Sequence, residues 1–306
     1  MHKPDLFVPS GNVNIAVYTW GSRPTAEHPR EVLLLAHGFP DRALFWEKVA
    51  KALQDDFYVV AYDMRGCAES THITGFWNYR FRLLQDDLYA VIDAVSPQQK
   101  VHLVGHDWGG IYGWDAITED AGKKRIASFT TMSPALEQVG FYLQRRFLRP
   151  TPRNLLQAFG QLMRNSLMMF FTLPLLPELL FSSGLGTVMF RTLINRYEPR
   201  ITFQKNEGME GDAIRYLGIY RANLLAKTLL PRKRSTTVPV HGLLATHDPF
   251  LPPALFESCH EWSTSYSESR VDAAHWAPLS RPAEMAVTIT DFVRRNATTS
   301  SKLSAA

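Results

Sequence analysis

The sequence predicts an α/β architecture: a mostly parallel sheet flanked by helices and interrupted by a helical insertion. Three observations carry this. Short apolar runs at 32–36, 57–61 and 101–104 each lead into a Gly-containing polar turn, which is the pattern of buried parallel strands. Between two of those runs, Phe81, Leu84, Leu88, Val91 and Val95 recur at three- and four-residue intervals and place one apolar stripe on a helix. From 135 to 218 strand-like runs vanish, and Met, Leu, Phe and Arg dominate between scattered prolines.

Taken in order, residues 13–18 alternate enough to form an early strand, and 32–36 is a continuous apolar strand ending at Gly38, Phe39 and Pro40. The runs at 57–61 and 101–104 with the intervening helix make a β-α-β unit. Residues 238–246 read as a further strand and 285–293 as a closing amphipathic helix. The tail from Asn296 onward is small and polar and is expected to fray. At roughly 150 residues per domain, 306 residues suit one core, 1–134 and 219–306, with 135–218 inserted as a helical layer.

Composition narrows the function. The chain is 45% hydrophobic and 20% charged, which excludes disordered, collagenous and coiled-coil classes. Its net charge of +4 is too mild for a nucleic-acid-binding stripe, so no nucleic-acid partner is expected. Much of the excess is local, in Arg145, Arg146, Arg149, Arg153, Arg164, Arg191, Arg196 and Arg200. The bland reading of these is a solvated helical face; the sharper one is a basic, apolar lid touching a membrane surface or an anionic amphiphile. Cys67 and Cys259 could form one bridge at most, and no metal-type spacing occurs, so neither metal nor cofactor is expected. Residues 1–10 lack a secretory apolar run, and the apolar stretch 167–181 is broken by Pro174, Pro177 and Glu178, short of the ~20 residues a bilayer span needs. A cytoplasmic monomer or homodimer is the expectation.

Gly105-His106-Asp107-Trp108-Gly109-Gly110 joins a strand to a helix. Small residues around Asp107 fit a nucleophile elbow, although Asp before a helix is also a common N-cap. His37-Gly38-Phe39-Pro40 follows an earlier strand, where an oxyanion-binding amide is supplied; the donors would be the N–H groups of Phe39 and Trp108. Asp248 ends the late strand, and His275 sits in Ala273-Ala274-His275-Trp276 before the last helix. Each alone is an ordinary structural residue; together they stand in the order nucleophile, acid, histidine.

The motifs HGFP, YDMRG, GHDWGG, THDPF and AAHWAP resemble the α/β-hydrolase superfamily, in the branch of epoxide hydrolases and haloalkane dehalogenases, over most of residues 10–295. The segment from Tyr62 to Trp108 is similar in particular to the hydrolase half of bifunctional epoxide hydrolase and short-chain dehydrogenase proteins, with no dehydrogenase half expected here. The resemblance implies an eight-stranded sheet under a helical cap, with Asp107 attacking an epoxide carbon to form an alkyl ester. Asp248 would orient His275, which activates water to cleave that ester. A carboxylate suits this role because, at a reference pKa near ~3.9, it is ionised at neutral pH and needs no base.

Family epoxide hydrolases commonly use two cap tyrosines as donors to the opened ring oxygen. Tyr220 matches one; Leu167 stands where the other is expected, and Tyr142, Tyr197 and Tyr216 are nearby phenols without motif support. His37, Leu167, Met168, Phe171 and Trp276 are the expected contacts for a small lipophilic epoxide, the apolar run also being compatible with plain packing. Dehalogenation by the same nucleophile is the alternative, with Trp108 as one halide donor but Phe39 where a second is expected. An ester or amide hydrolase would be expected to carry Ser or Cys at 107, and a ligand-binding protein that has lost turnover is the remaining class.

Overall fold

A computed structural model describes residues 2–298 of the chain. Eight strands form one sheet: β1 Leu6–Ser10, β2 Val13–Trp20, β3 Val32–Ala36, β4 Tyr58–Tyr62, β5 Val101–Gly105, β6 Ile126–Thr131, β7 Val240–Ala245 and β8 Tyr266–Val271. Their order is β1-β2-β4-β3-β5-β6-β7-β8, and β2 alone runs against the others. Strands β3, β4, β5 and β7 are buried along their whole length, so they read in the sequence as mainly apolar runs, broken only by His102 in β5 and His241 in β7.

Helices α1 Glu47–Leu53, α2 Phe81–Val95, α3 Trp108–Thr118 and α4 Asp120–Arg125 fill the connections from β3 to β6, the last two both between β5 and β6. Then come α5 Leu136–Leu148, α6 Pro152–Phe170, α7 Leu176–Ser182, α8 Leu185–Tyr197 and α9 Met209–Leu229, before α10 Ala277–Ser280 and α11 Pro282–Arg295 close the chain. Helix α1 packs on α11, and α2 on α3. The expected apolar stripe of α2 is buried at Phe81, Leu84, Leu88, Val91 and Val95. The insertion is helical throughout its regular elements, as expected. Its expected limit at 218/219, however, falls inside α9, a continuous helix of 21 residues.

Strands β1, β6 and β8 escape the sequence reading for physical reasons. The edge strand β8 has the sequence YSESRV and exposes Ser267, Glu268 and Arg270. At β6 there is no punctuation, because α4 runs into it and Ile126 is both the helix C-cap and the first strand residue. The tail is ordered further than expected: Asn296 bonds the Phe292 carbonyl, and the Thr298 N–H donates to Glu31 at 2.6 Å. The rest of that tail, 299–306, lies outside the described residues. Cys67 and Cys259 are both free and buried. No helix among the described residues is long and apolar enough to cross a membrane.

Candidate active site

Strand β5 ends at Gly105 and α3 begins at Trp108, so His106 and Asp107 make the turn. Asp107 adopts φ 48° and ψ −122°, a conformation strained for any residue with a Cβ. Glycine makes room for it: a Cβ at Gly109 would collide with the Ala36 carbonyl, and one at Gly38 with the Asp107 side chain itself. Asp107 occupies the N-cap position of α3 but its side chain makes no capping bond. Its Oδ2 instead accepts the Phe39 N–H at 2.8 Å. The elbow geometry therefore holds and the capping alternative does not.

Opposite this turn, Nδ1 of His275 donates to Oδ2 of Asp248 at 2.8 Å. The other Asp248 oxygen accepts the N–H groups of Phe250 and Leu251 at 2.8 and 2.9 Å. Burial opposes ionisation of Asp248, but the His275 charge and these donors outweigh it and hold the carboxyl below its usual range. For His275 burial again disfavours the charge, yet Asp248, then Asp107 and Asp41, push it up to about 9. Burial raises the Asp107 carboxyl, partly offset by His275 and by the amides of Phe39 and Trp108. Both expected oxyanion donors thus already face the carboxylate.

Three residues that sequence reasoning passed over complete the setting. Asp41, directly after the His37–Pro40 motif, has a buried Oδ2 with no partner among the described residues. Burial, with the Asp107 charge added, pushes it up to about 7. Its place beside a recognised motif was a usable signal. His106 Nε2 donates to the His275 carbonyl at 2.7 Å, and Glu198 Oε1 accepts the Ala274 N–H at 2.7 Å, so the histidine loop is gripped from two sides. Glu198 carries no local signal, because it reaches the loop only through the fold.

Asp107, His275 and Tyr220 open on a narrow cavity of ≈ 50 Å³ between the core and the inserted helices. Leu167, Met168, Phe171 and Trp276 line it, joined by Ile111, Phe190, Phe250 and Leu251. The Phe39 ring packs edge-on to Tyr220 at 5.3 Å and near Phe171 at 5.2 Å. Tyr220 is the one phenol among these lining residues. Burial, then the nearby Asp107 charge, raises its hydroxyl well above the usual range, so it stays a proton donor.

His37 is a correction: it does not line the cavity. Its Nδ1 donates to the Gly38 carbonyl at 2.9 Å and its Nε2 accepts the Met64 N–H at 3.1 Å, so it braces the loop carrying Phe39 from beneath. Burial pushes it down to about 4, which keeps the ring neutral. Although His37, Asp63 and Cys67 lie close enough to hold a cation, Asp63 already accepts from Tyr18, Ala43 and Glu69. That cluster is a bracing network. Trp108 also stays out of the cavity lining; its indole stands edge-on to Tyr220 at 4.8 Å. None of the alternative phenols reaches the cavity: Tyr216 lies 3.5 Å from His37 Nε2, Tyr142 lies under Arg146, and Tyr197 is exposed.

Comparison with known proteins adds the following. A family model described as alpha/beta hydrolase fold matches residues 31–282. The probable oxidoreductase EphD of Mycobacterium tuberculosis is 31% identical over 286 residues, covering 92% of this chain but 48% of that protein, so the chain spans about half its length. Epoxide hydrolase 3 of Xenopus tropicalis is 25% identical over 283 residues, 87% of this chain and 72% of that protein. Among solved structures, the Bacillus megaterium epoxide hydrolase in complex with an inhibitor superposes with a TM-score of 0.73 at 20% identity, covering 94% of this chain and 100% of that one.

Proposed function

The chain belongs to the α/β-hydrolase fold family, with epoxide hydrolases among its relatives, and from that premise we propose that it opens a small lipophilic epoxide to a vicinal diol through an ester on Asp107. One observation carries the reading: a carboxylate, not a hydroxyl, sits on the elbow, bonded to the Phe39 amide and within the field of a His275–Asp248 pair. Helices α5 to α8 then act as the cap.

In the first step an Asp107 oxygen attacks a ring carbon and the carbon–oxygen bond of the epoxide breaks. The electron pair passes to the ring oxygen, which takes the Tyr220 proton. In the second step His275 removes a proton from water as that water attacks the ester carbonyl carbon, and the Phe39 and Trp108 amides hold the developing oxyanion. The expelled diol oxygen takes the proton back from His275, and the acid left on Asp107 restores the phenol. Dehalogenation by the same nucleophile is less well served, because the second halide donor would have to come from the Phe39 ring, which has no N–H. The test is a panel of aromatic and fatty epoxides, bromoalkanes and p-nitrophenyl esters. Diol release supports the proposal; halide or phenol release alone overturns it, and silence on all three favours a ligand-binding protein.

A further inference from the structure

Helix α6 packs in an inverted way. Among its 19 residues only Ala158 and Gln161 are buried, while Leu156 is 75% exposed, Phe159 57% and Met163 73%. A helix that packs on a core hides its leucines; here the fully buried positions are a small residue and a glutamine, whose amide donates to the Phe250 carbonyl, while Leu167 and Met168 are half-buried at the far end. Leu156, Phe159 and Met163 are three and four residues apart and form one stripe. Phe147, at the end of α5, meets it with its ring 6.0 Å from that of Phe159, and the adjacent Leu148 is 81% exposed. A contiguous apolar face results.

Its border is basic. Arg149, Arg153 and Arg164 are exposed, and among the described residues no carboxylate pairs with them. At about 3.6 residues per turn, Arg153 and Arg164 fall together on one flank of the stripe. Of the eight arginines in residues 139–200, Arg145 and Arg146 are paired with Glu261 and Glu257, so the charges left free beside the stripe are those of Arg149, Arg153 and Arg164. Charge complementarity therefore selects an anionic occupant and opposes a second copy of the same face.

We propose that the face formed by α6 and the end of α5 docks on an anionic lipid surface, with α6 lying along the membrane rather than across it. An apolar stripe buried at the headgroup boundary, flanked by arginines, is the chemistry of an interfacial helix. The same helix presents Leu167 and Met168 to the cavity, so docking sets the cavity next to the phase in which lipophilic molecules dissolve. Surface binding itself does not depend on which reaction the cavity performs.

Co-sedimentation with phosphatidylcholine vesicles, with and without about 30% phosphatidylglycerol, tests this on the full chain. The protein is expected to pellet with the anionic vesicles and to be released by salt. Leu156→Ser with Phe159→Ser, and separately Arg153→Glu with Arg164→Glu, should each weaken binding at least about tenfold. All four sites are exposed, and an unchanged thermal transition checks the fold. Failure to pellet with anionic vesicles, or pelleting unaffected by both double variants, overturns the proposal. A dimer in sedimentation velocity that Leu156→Ser with Phe159→Ser dissolves also overturns it, because a second copy then covers the face.

Discussion

Glu198, just past the end of α8, accepts the backbone N–H of Ala274 at 2.7 Å, one residue before His275. The carboxylate is buried and belongs to the inserted helices, whereas the loop it holds belongs to the core. The inserted helices and the histidine loop are therefore mechanically joined. Glu198→Ala strands a buried N–H, a loss of about 1–3 kcal/mol, and loosens the loop. Ester hydrolysis, read in single turnovers, should slow more than ester formation, and Glu198→Gln, which keeps an acceptor, should restore much of it.

Asp107→Ala removes the carboxylate proposed as nucleophile and leaves the turn at φ 48°, since alanine still carries a Cβ. Turnover should vanish while the thermal transition is kept. Full activity in this variant would falsify the assignment.

His275→Gln blocks the second step only. Incubation with a turned-over epoxide should then build up an adduct, seen as a mass increase on the intact protein equal to the epoxide. A panel of such epoxides that leaves the mass unchanged argues against the two-step scheme.

The His275 pKa, pushed up to about 9 in the resting site, means that the ring carries a proton at neutral pH. Alkylation neutralises Asp107 and removes one of the charges that raise it, so the ring sheds its proton more readily once the ester exists. Ester hydrolysis should therefore rise with pH, with a midpoint below 9. By NMR, His275 should titrate lower in Asp107→Asn than in the parent. The stability contribution has the opposite sense: it is complete below the ordinary value of 6.5 and is lost as pH climbs toward 9. The urea midpoint should fall over that window, and fall less in His275→Gln.

Tyr220 is the one cavity phenol among the described residues, and loss of one preorganised donor costs ~10²–10³ in rate, so Tyr220→Phe should slow ester formation by about that factor. Leu167 faces the same cavity. Leu167→Tyr should speed ester formation and Leu167→Phe should not; equal rates in the two would mean that the added hydroxyl does not reach the ring oxygen.

What could be read along the chain was whatever depends on near neighbours. The buried strands β3 and β4 are unbroken apolar runs, β5 and β7 are apolar runs interrupted by one histidine each, and the α2 stripe follows a local period. The elbow residues 105–110 are adjacent in sequence, so Asp107 could be picked out. The edge strand β8 could not, because half its residues face water and the pairing partner β7 supplies the order. Chain order suggested that Asp107, Asp248 and His275 belong together, but only the tertiary structure decided that Asp248 bonds His275, that Asp41 and Glu198 stand around them, and that His37 lies beneath the loop rather than in the cavity. The reason is physical: local propensity and periodicity act over a few residues, whereas burial and the fields that shift these groups come from segments 27 to 179 positions apart.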